Sequence, residues 1–133
     1  MSSSVIWLDT NVVIRFLVND DKAQAAKAQA LIAKSEVHLS LTVLLECEWV
    51  LRGAYDFSPL EIAGFFRALL GLDNVRITAP AIVDEALRLY ANGLDFADAL
   101  HLVQMPAAGR FASFDRNLVK RAGRLQQRAL LTP

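Results

Sequence analysis

Residues 5–21 read Val-Ile-Trp-Leu-Asp-Thr-Asn-Val-Val-Ile-Arg-Phe-Leu-Val-Asn-Asp-Asp, and their reading decides the fold class. Val5-Ile6-Trp7-Leu8 is continuously apolar, as expected of a strand buried on both faces. Asp9 follows at once, and from Asn11 to Val18 the pattern turns helical. The stretch Asp20 to Ser35, rich in Ala, continues with strong intrinsic helix propensity. Strand followed by helix is the basic unit of an α/β protein.

The rest of the chain repeats the alternation. Val37-His38-Leu39-Ser40-Leu41 is a second short strand, followed by a helix from about Val43 to Tyr55. Ser58-Pro59 with Glu61 opens another helix, since Ser caps well and Pro suits the first helical turn. Gly71 to Asn74 ends it, and Val75-Arg76-Ile77 is a third strand. Pro80 starts a helix that stops at Asn92-Gly93. Asp95-Phe96-Ala97-Asp98 begins the next, which Pro106 terminates. Arg110 to Phe114 is a fourth strand, Asn117 to Gly123 a short helix, and Ala129-Leu130-Leu131 a last strand. Short β-rich runs alternating with longer helices predict an α/β fold: a mainly parallel sheet of about four to five strands flanked by helices. At 133 residues the expectation is one domain, residues 1–133.

The apolar fraction is 54% and the mean hydropathy +0.32, enough for a core with some excess for an interface. No apolar run reaches the roughly 18 residues of a membrane span, because Arg15, Glu46, Glu48 and Arg67 interrupt the longest ones. The N-terminus lacks the basic and apolar regions of a signal peptide, and the single Cys47 has no intrachain partner. A soluble, cytoplasmic protein is the default expectation. The formal net charge is zero, which argues against a highly basic nucleic-acid coat or an acidic tail. That neutrality is a cancellation. Residues 106–133 carry six basic groups (Arg110, Arg116, Lys120, Arg121, Arg124, Arg128) against Asp115, a net of +5, while residues 1–105 carry −5. A basic face including Arg116, Lys120 and Arg121 can hold a polyanion; its bland counterpart is a solvated helix face.

In parallel α/β sheets ligands gather at the carboxyl ends of strands. Asp9 directly follows the first strand and Asp115 the fourth; alone, each is as readily a helix cap. Glu46 and Glu48 lie in an apolar helix and point about 200° apart, so only one faces inward, and spacing leaves open which. Asp95 and Asp98 have the three-residue spacing of an acidic capping box. Carboxylates from several elements repel one another unless a cation holds them. An oxygen-only set favours Mg²⁺ or Mn²⁺ over Zn²⁺, and such sites commonly serve phosphate chemistry. His38 and His101 lack metal-ligand spacing and are expected to pack. Cys47, flanked by two glutamates, is expected to have a raised pKa and no nucleophilic role.

The segments WLDTNVVIRFLVNDD, SLTVLLECEWVLR, LDFADALHL and FASFDRNL resemble, in this order, the four motifs of PIN-domain ribonucleases, in particular the VapC toxins of prokaryotic toxin–antitoxin pairs. The resemblance spans nearly the whole chain and implies a PIN fold. It implies that Asp9, Glu46, Asp98 and Asp115 form an acidic quartet binding Mg²⁺ or Mn²⁺, favouring Glu46 over Glu48. It gives Asn11 and Ser113 as supporting polar groups and Asp95 as a supporting or capping one. The sequence departs from the pattern at Asn117, where many relatives carry a second acid. The implied activity is metal-dependent hydrolysis of an RNA phosphodiester by a metal-bound water, leaving a 5′-phosphate and a 3′-hydroxyl, typically in a structured tRNA or ribosomal RNA loop. The implied partners are a cognate VapB-type antitoxin and a second copy of the chain in a homodimer, with the apolar helices 11–18 and 43–55 as contact candidates. Two competing readings remain: a PIN-like module that binds RNA or protein without cutting, and a haloacid-dehalogenase-like phosphatase with Asp9 as nucleophile. The second is disfavoured because Asn11 stands where that class has a second acid.

Overall fold

The computed structural model describes residues 5–125 and 129–133 and contains, among these, seven helices and five strands. Arg128 of the basic segment lies outside the described residues. The chain forms two compact units, Met1–Pro80 and Ala81–Pro133.

In the first unit, β1 (Ile6–Trp7), β2 (Val37–Leu39) and β3 (Val75–Ile77) form a parallel sheet in that order. Helices α1 (Thr10–Leu17) and α2 (Lys22–Lys34) connect β1 to β2, and α3 (Leu41–Gly53) and α4 (Pro59–Leu70) connect β2 to β3. Parallel neighbours need such crossovers. α1 packs on α2 and α3, and α4 on α3 and β3. The core includes Val13, Ile14, Val37, Leu39, Leu44, Leu51, Ile62 and Phe66, all nearly or fully buried.

Each helix in this unit begins where a side chain can accept an otherwise unpaired amide. Asp9 accepts from the Thr10 amide at 2.8 Å, Asp21 from Gln24 at 3.0 Å and Ser40 from Val43 at 3.2 Å. Ser58 and Glu61 form a reciprocal capping box behind Pro59. The caps explain the shifts from the expected boundaries. Asp21 starts α2 two residues late, and Ser40 ends β2 and begins α3 two residues early.

β1 corrects an expectation. It is two residues long and exposed, Ile6 at 37% and Trp7 at 62%, instead of buried on both faces. Within its sheet it is an edge strand, paired only with β2, and the Trp7 ring stacks on His38 with centroids 3.9 Å apart. Apolar character here marks a surface aromatic platform.

In the second unit, α5 (Pro80–Ala91) leads into α6 (Phe96–Gln104), and β4 (Arg110–Ala112) pairs in parallel with β5 (Ala129–Leu131) through α7 (Arg116–Leu125). α7 packs on β5. Val83, Ala86, Leu87, Leu89, Phe96, Leu102 and Ala122 make its core. Gly93, at φ +106°, ends the α5 turn in a conformation that other residues rarely adopt. β4 stops at Ala112, two residues before expectation, where the Ser113 amide still reaches the Leu131 carbonyl and its hydroxyl accepts the Asp115 amide, and α7 runs through Gly123 to Leu125. All five strands and the parallel pairing therefore match the α/β expectation, distributed as one three-stranded and one two-stranded sheet. No helix among the described residues is long and apolar enough to cross a membrane.

Candidate metal and RNA site

In the first unit, Asp9 leaves the end of β1 and caps α1 through one carboxylate oxygen, Oδ1, on the Thr10 amide. The other oxygen carries no hydrogen bond among the described residues. The Thr10 hydroxyl donates to Glu46 Oε1 at 3.1 Å. One residue therefore ties both carboxylates, 37 positions apart, to the same turn. Cys47 registers both as well. Burial, then the charges of Glu46 and Asp9, push its thiol up to about 12, the direction expected, with burial and Asp9 as causes in place of a second flanking glutamate.

The structure answers which glutamate faces inward. Glu48 is buried and accepts from Arg52 at 2.7 Å (Nε) and 3.3 Å (Nη2), whereas Glu46 is exposed beside Asp9. A buried carboxylate needs such a partner. Glu48 is structural, and Glu46 is the glutamate available to a ligand.

Asp9, Thr10 and Asn11 line a concavity of about 610 Å³ together with Arg15, Asp20 and Tyr55. Arg15 donates to Gln24 at 2.7 Å, to the Tyr55 hydroxyl at 3.2 Å and to Asp20 at 3.5 Å. Tyr55 donates to Asp20 at 2.7 Å, a bond that holds the Asp20 carboxyl below the usual range and raises the phenol. Sequence reasoning missed this cluster. Its one legible trace was Arg15, a charge interrupting an apolar helix face.

In the second unit, Asp95 caps α6 on the amide of Asp98 at 3.1 Å, the capping role foreseen for it. Asp98 is half-buried. Burial and the charge of Asp95 raise its carboxyl above the usual range; His101 opposes this, and Asp115 adds a smaller push. Asp98 therefore shares a negative neighbourhood with Asp115, where a cation would be welcome. The Ser113 hydroxyl accepts the Asp115 amide at 3.0 Å, and Asp115 Oδ1 accepts the Leu118 amide at 3.1 Å. Asp115, like Asp9, is fixed through one oxygen and keeps the other. Asn117 is exposed and makes no side-chain hydrogen bond among the described residues.

Arg116 and Lys120 are exposed on α7. Arg121 donates to the Gly93 carbonyl at 2.8 Å, so part of its guanidinium serves the turn after α5. His101 stacks on Phe111 with centroids 6.2 Å apart, and His38 bonds Thr78 at 2.7 Å, the packing roles expected of both. Within neither unit do three His, Cys, Asp or Glu side chains among the described residues gather into a ready-made metal cage. What each unit offers is a pair of carboxylates: Asp9 with Glu46, and Asp98 with Asp115. Both pairs are oxygen-only and suit a hard divalent cation.

The PIN-domain family model matches residues 6–125. The chain belongs to the PIN-domain family. Its motifs run through both units, and the α/β fold with parallel strands is the family's. PIN domains are generally nucleases that use divalent metal ions, which supports a hydrolase acting on nucleic acid, with RNA as the suggested ligand. Among curated proteins no significant match is found.

Proposed function

We propose that this PIN domain is a Mg²⁺- or Mn²⁺-dependent endoribonuclease, the toxin of a VapBC-type module, working as one domain over residues 1–133. The observation that carries the reading is the state of its acids. Asp9 and Asp115 are each held by a backbone amide through one oxygen, while Glu46 and Asp98 stand beside them. These four would hold the metal, with Asn11, Ser113, Asp95 and Asn117 as supporting groups. When bound, the metal supplies activation of a water and stabilisation of the leaving oxygen. Thr10 orients the Asp9 and Glu46 carboxylates, the Leu118 amide that of Asp115, and Ser113 fixes the Asp115 backbone, while Arg116, Lys120 and the free part of Arg121 attract the RNA backbone.

The substrate proposed is a structured tRNA or rRNA loop in the cytoplasm. A VapB-type antitoxin and a second copy of the chain are the proposed partners, supported by exposed Trp49 on α3 and the shallow apolar groove it lines with Val50, Gly53 and Ala54. Asp9→Asn or Asp98→Asn should abolish chelator-sensitive RNA cleavage and growth inhibition while the fold remains; full activity in either variant would overturn the assignment. A second reading, a PIN domain that binds without cutting, draws on the fact that Asp9, Asp95 and Asp115 each satisfy helix-start amides, a role that needs no metal. Absence of both Mg²⁺/Mn²⁺ binding and chelator-sensitive nuclease activity would favour it.

A further inference from the structure

Phe114 is 81% exposed, more than any other large hydrophobic side chain described. It stands between Ser113 and Asp115 in a turn pinned at several points. The Ser113 amide donates to the Leu131 carbonyl at 3.0 Å, and the Asp115 amide to Ser113 Oγ at 3.0 Å. The Asp115 carboxylate and carbonyl accept the amides of Leu118 and Val119. The ring is thus presented outward on a rigid support, next in sequence to a carboxylate of the proposed metal site. α7, which starts immediately afterwards, carries Arg116, Lys120, Arg121 and Arg124 and no acid. Arg116, Lys120 and Arg124 are exposed and make no ion pair among the described residues.

We propose that Phe114 is a stacking platform for one unpaired base of the RNA, beside the phosphate that is cut, with the cations of α7 tracking the backbone. The proposal rests on the ribonuclease reading and narrows its substrate to RNA unpaired at the cut. An exposed aromatic in a hydrogen-bonded turn that leads into a helix of unneutralised cations matches what a single strand offers, a base face and a phosphate one step apart. A protein partner would satisfy the ring but would have to be acidic to satisfy the helix.

The test compares unaltered chain, Phe114→Ala and Phe114→Trp on a single-stranded oligoribonucleotide and on the same sequence in a duplex, with Leu60→Ala as an exposed apolar control. Phe114→Ala should raise KM for the single strand roughly 10- to 100-fold with little change in kcat. Phe114→Trp should restore KM, and its added indole emission should be quenched by the single strand and unaffected by the duplex; Leu60→Ala should behave as the unaltered chain. Cleavage by Phe114→Ala with unchanged KM overturns the stacking role alone. Unchanged RNA kinetics with lost self-association or lost protein binding would assign the ring to a protein interface and also overturn it. If the unaltered chain neither binds nor cuts RNA, the ribonuclease reading falls together with this one.

Discussion

Glu46 and Glu48 lie two residues apart on α3, and their environments predict opposite consequences for the same truncation. The Glu48 side chain is 3% exposed and accepts two hydrogen bonds from Arg52. Charge-assisted bonds of this kind contribute about 1.5–3 kcal/mol. Glu48→Ala also removes buried methylene contacts, while the Arg52 side chain, 45% exposed, can return to water. The expected loss is about 2–4 kcal/mol. At roughly 3–5 °C per kcal/mol for a chain of this size, the melting midpoint should fall by roughly 6–20 °C. Glu46→Ala removes an exposed side chain and one bond from the Thr10 hydroxyl, so stability should move by no more than about 0.5 kcal/mol. RNA cleavage should instead fall by at least about 100-fold, since loss of groups that merely orient metal ligands already costs roughly 10–100-fold. Thermal unfolding by circular dichroism and cleavage of a labelled RNA, run on both variants, measure the two effects. The reverse pattern, a destabilised Glu46→Ala and a stable but inactive Glu48→Ala, would refute the assignment of roles.

Two further outcomes follow from local physics. In the unfolded chain the Asp98 carboxyl titrates near 3.8, and in the folded chain higher. Between the two values the folded state holds more protons, so Asp98 lowers stability as pH rises through that window, and the penalty persists above it. Metal-free Asp98→Asn should therefore melt above the unaltered chain at pH 7, with the gap closing as the pH is lowered towards 3.8; a gap that does not change with pH would contradict this. Gly93→Ala should cost about 1–3 kcal/mol by denaturant unfolding, because φ is +106° and the added methyl group meets nothing within 4 Å, so the loss is backbone strain alone.

Much of this was legible because it is local. Ser58, Glu61 and Pro59 announce a helix start, and Asp95 announces its cap, within four residues of chain. Asp9 and Asp115 were legible because each closes an apolar run that reads as a strand, although the strands themselves end at Trp7 and Ala112. Helix periodicity left the inward glutamate open and only the resemblance favoured Glu46 as the ligand; that Glu48 is the buried one depends on Arg52 taking it up. The Arg15, Asp20 and Tyr55 cluster joins residues up to 40 positions apart through side chains whose types suggest no common purpose. Arg121 looked like one more cation of a basic segment until its bond to Gly93 was visible. The exposure of β1 was missed because an apolar run reads as buried, and only its edge position and the stacking of Trp7 on His38 explain it otherwise.

The central claim is that Asp9, Glu46, Asp98 and Asp115 together hold a divalent cation. Titration of Mn²⁺ into the metal-free chain, followed by the loss of the free-ion paramagnetic resonance signal, tests it directly when repeated on Asp9→Asn, Glu46→Gln, Asp98→Asn and Asp115→Asn. The account predicts saturable binding that each substitution weakens by tenfold or more, with Glu48→Gln binding as the unaltered chain does. Mn²⁺ binding that is absent from the unaltered chain, or that survives all four substitutions undiminished, would contradict it.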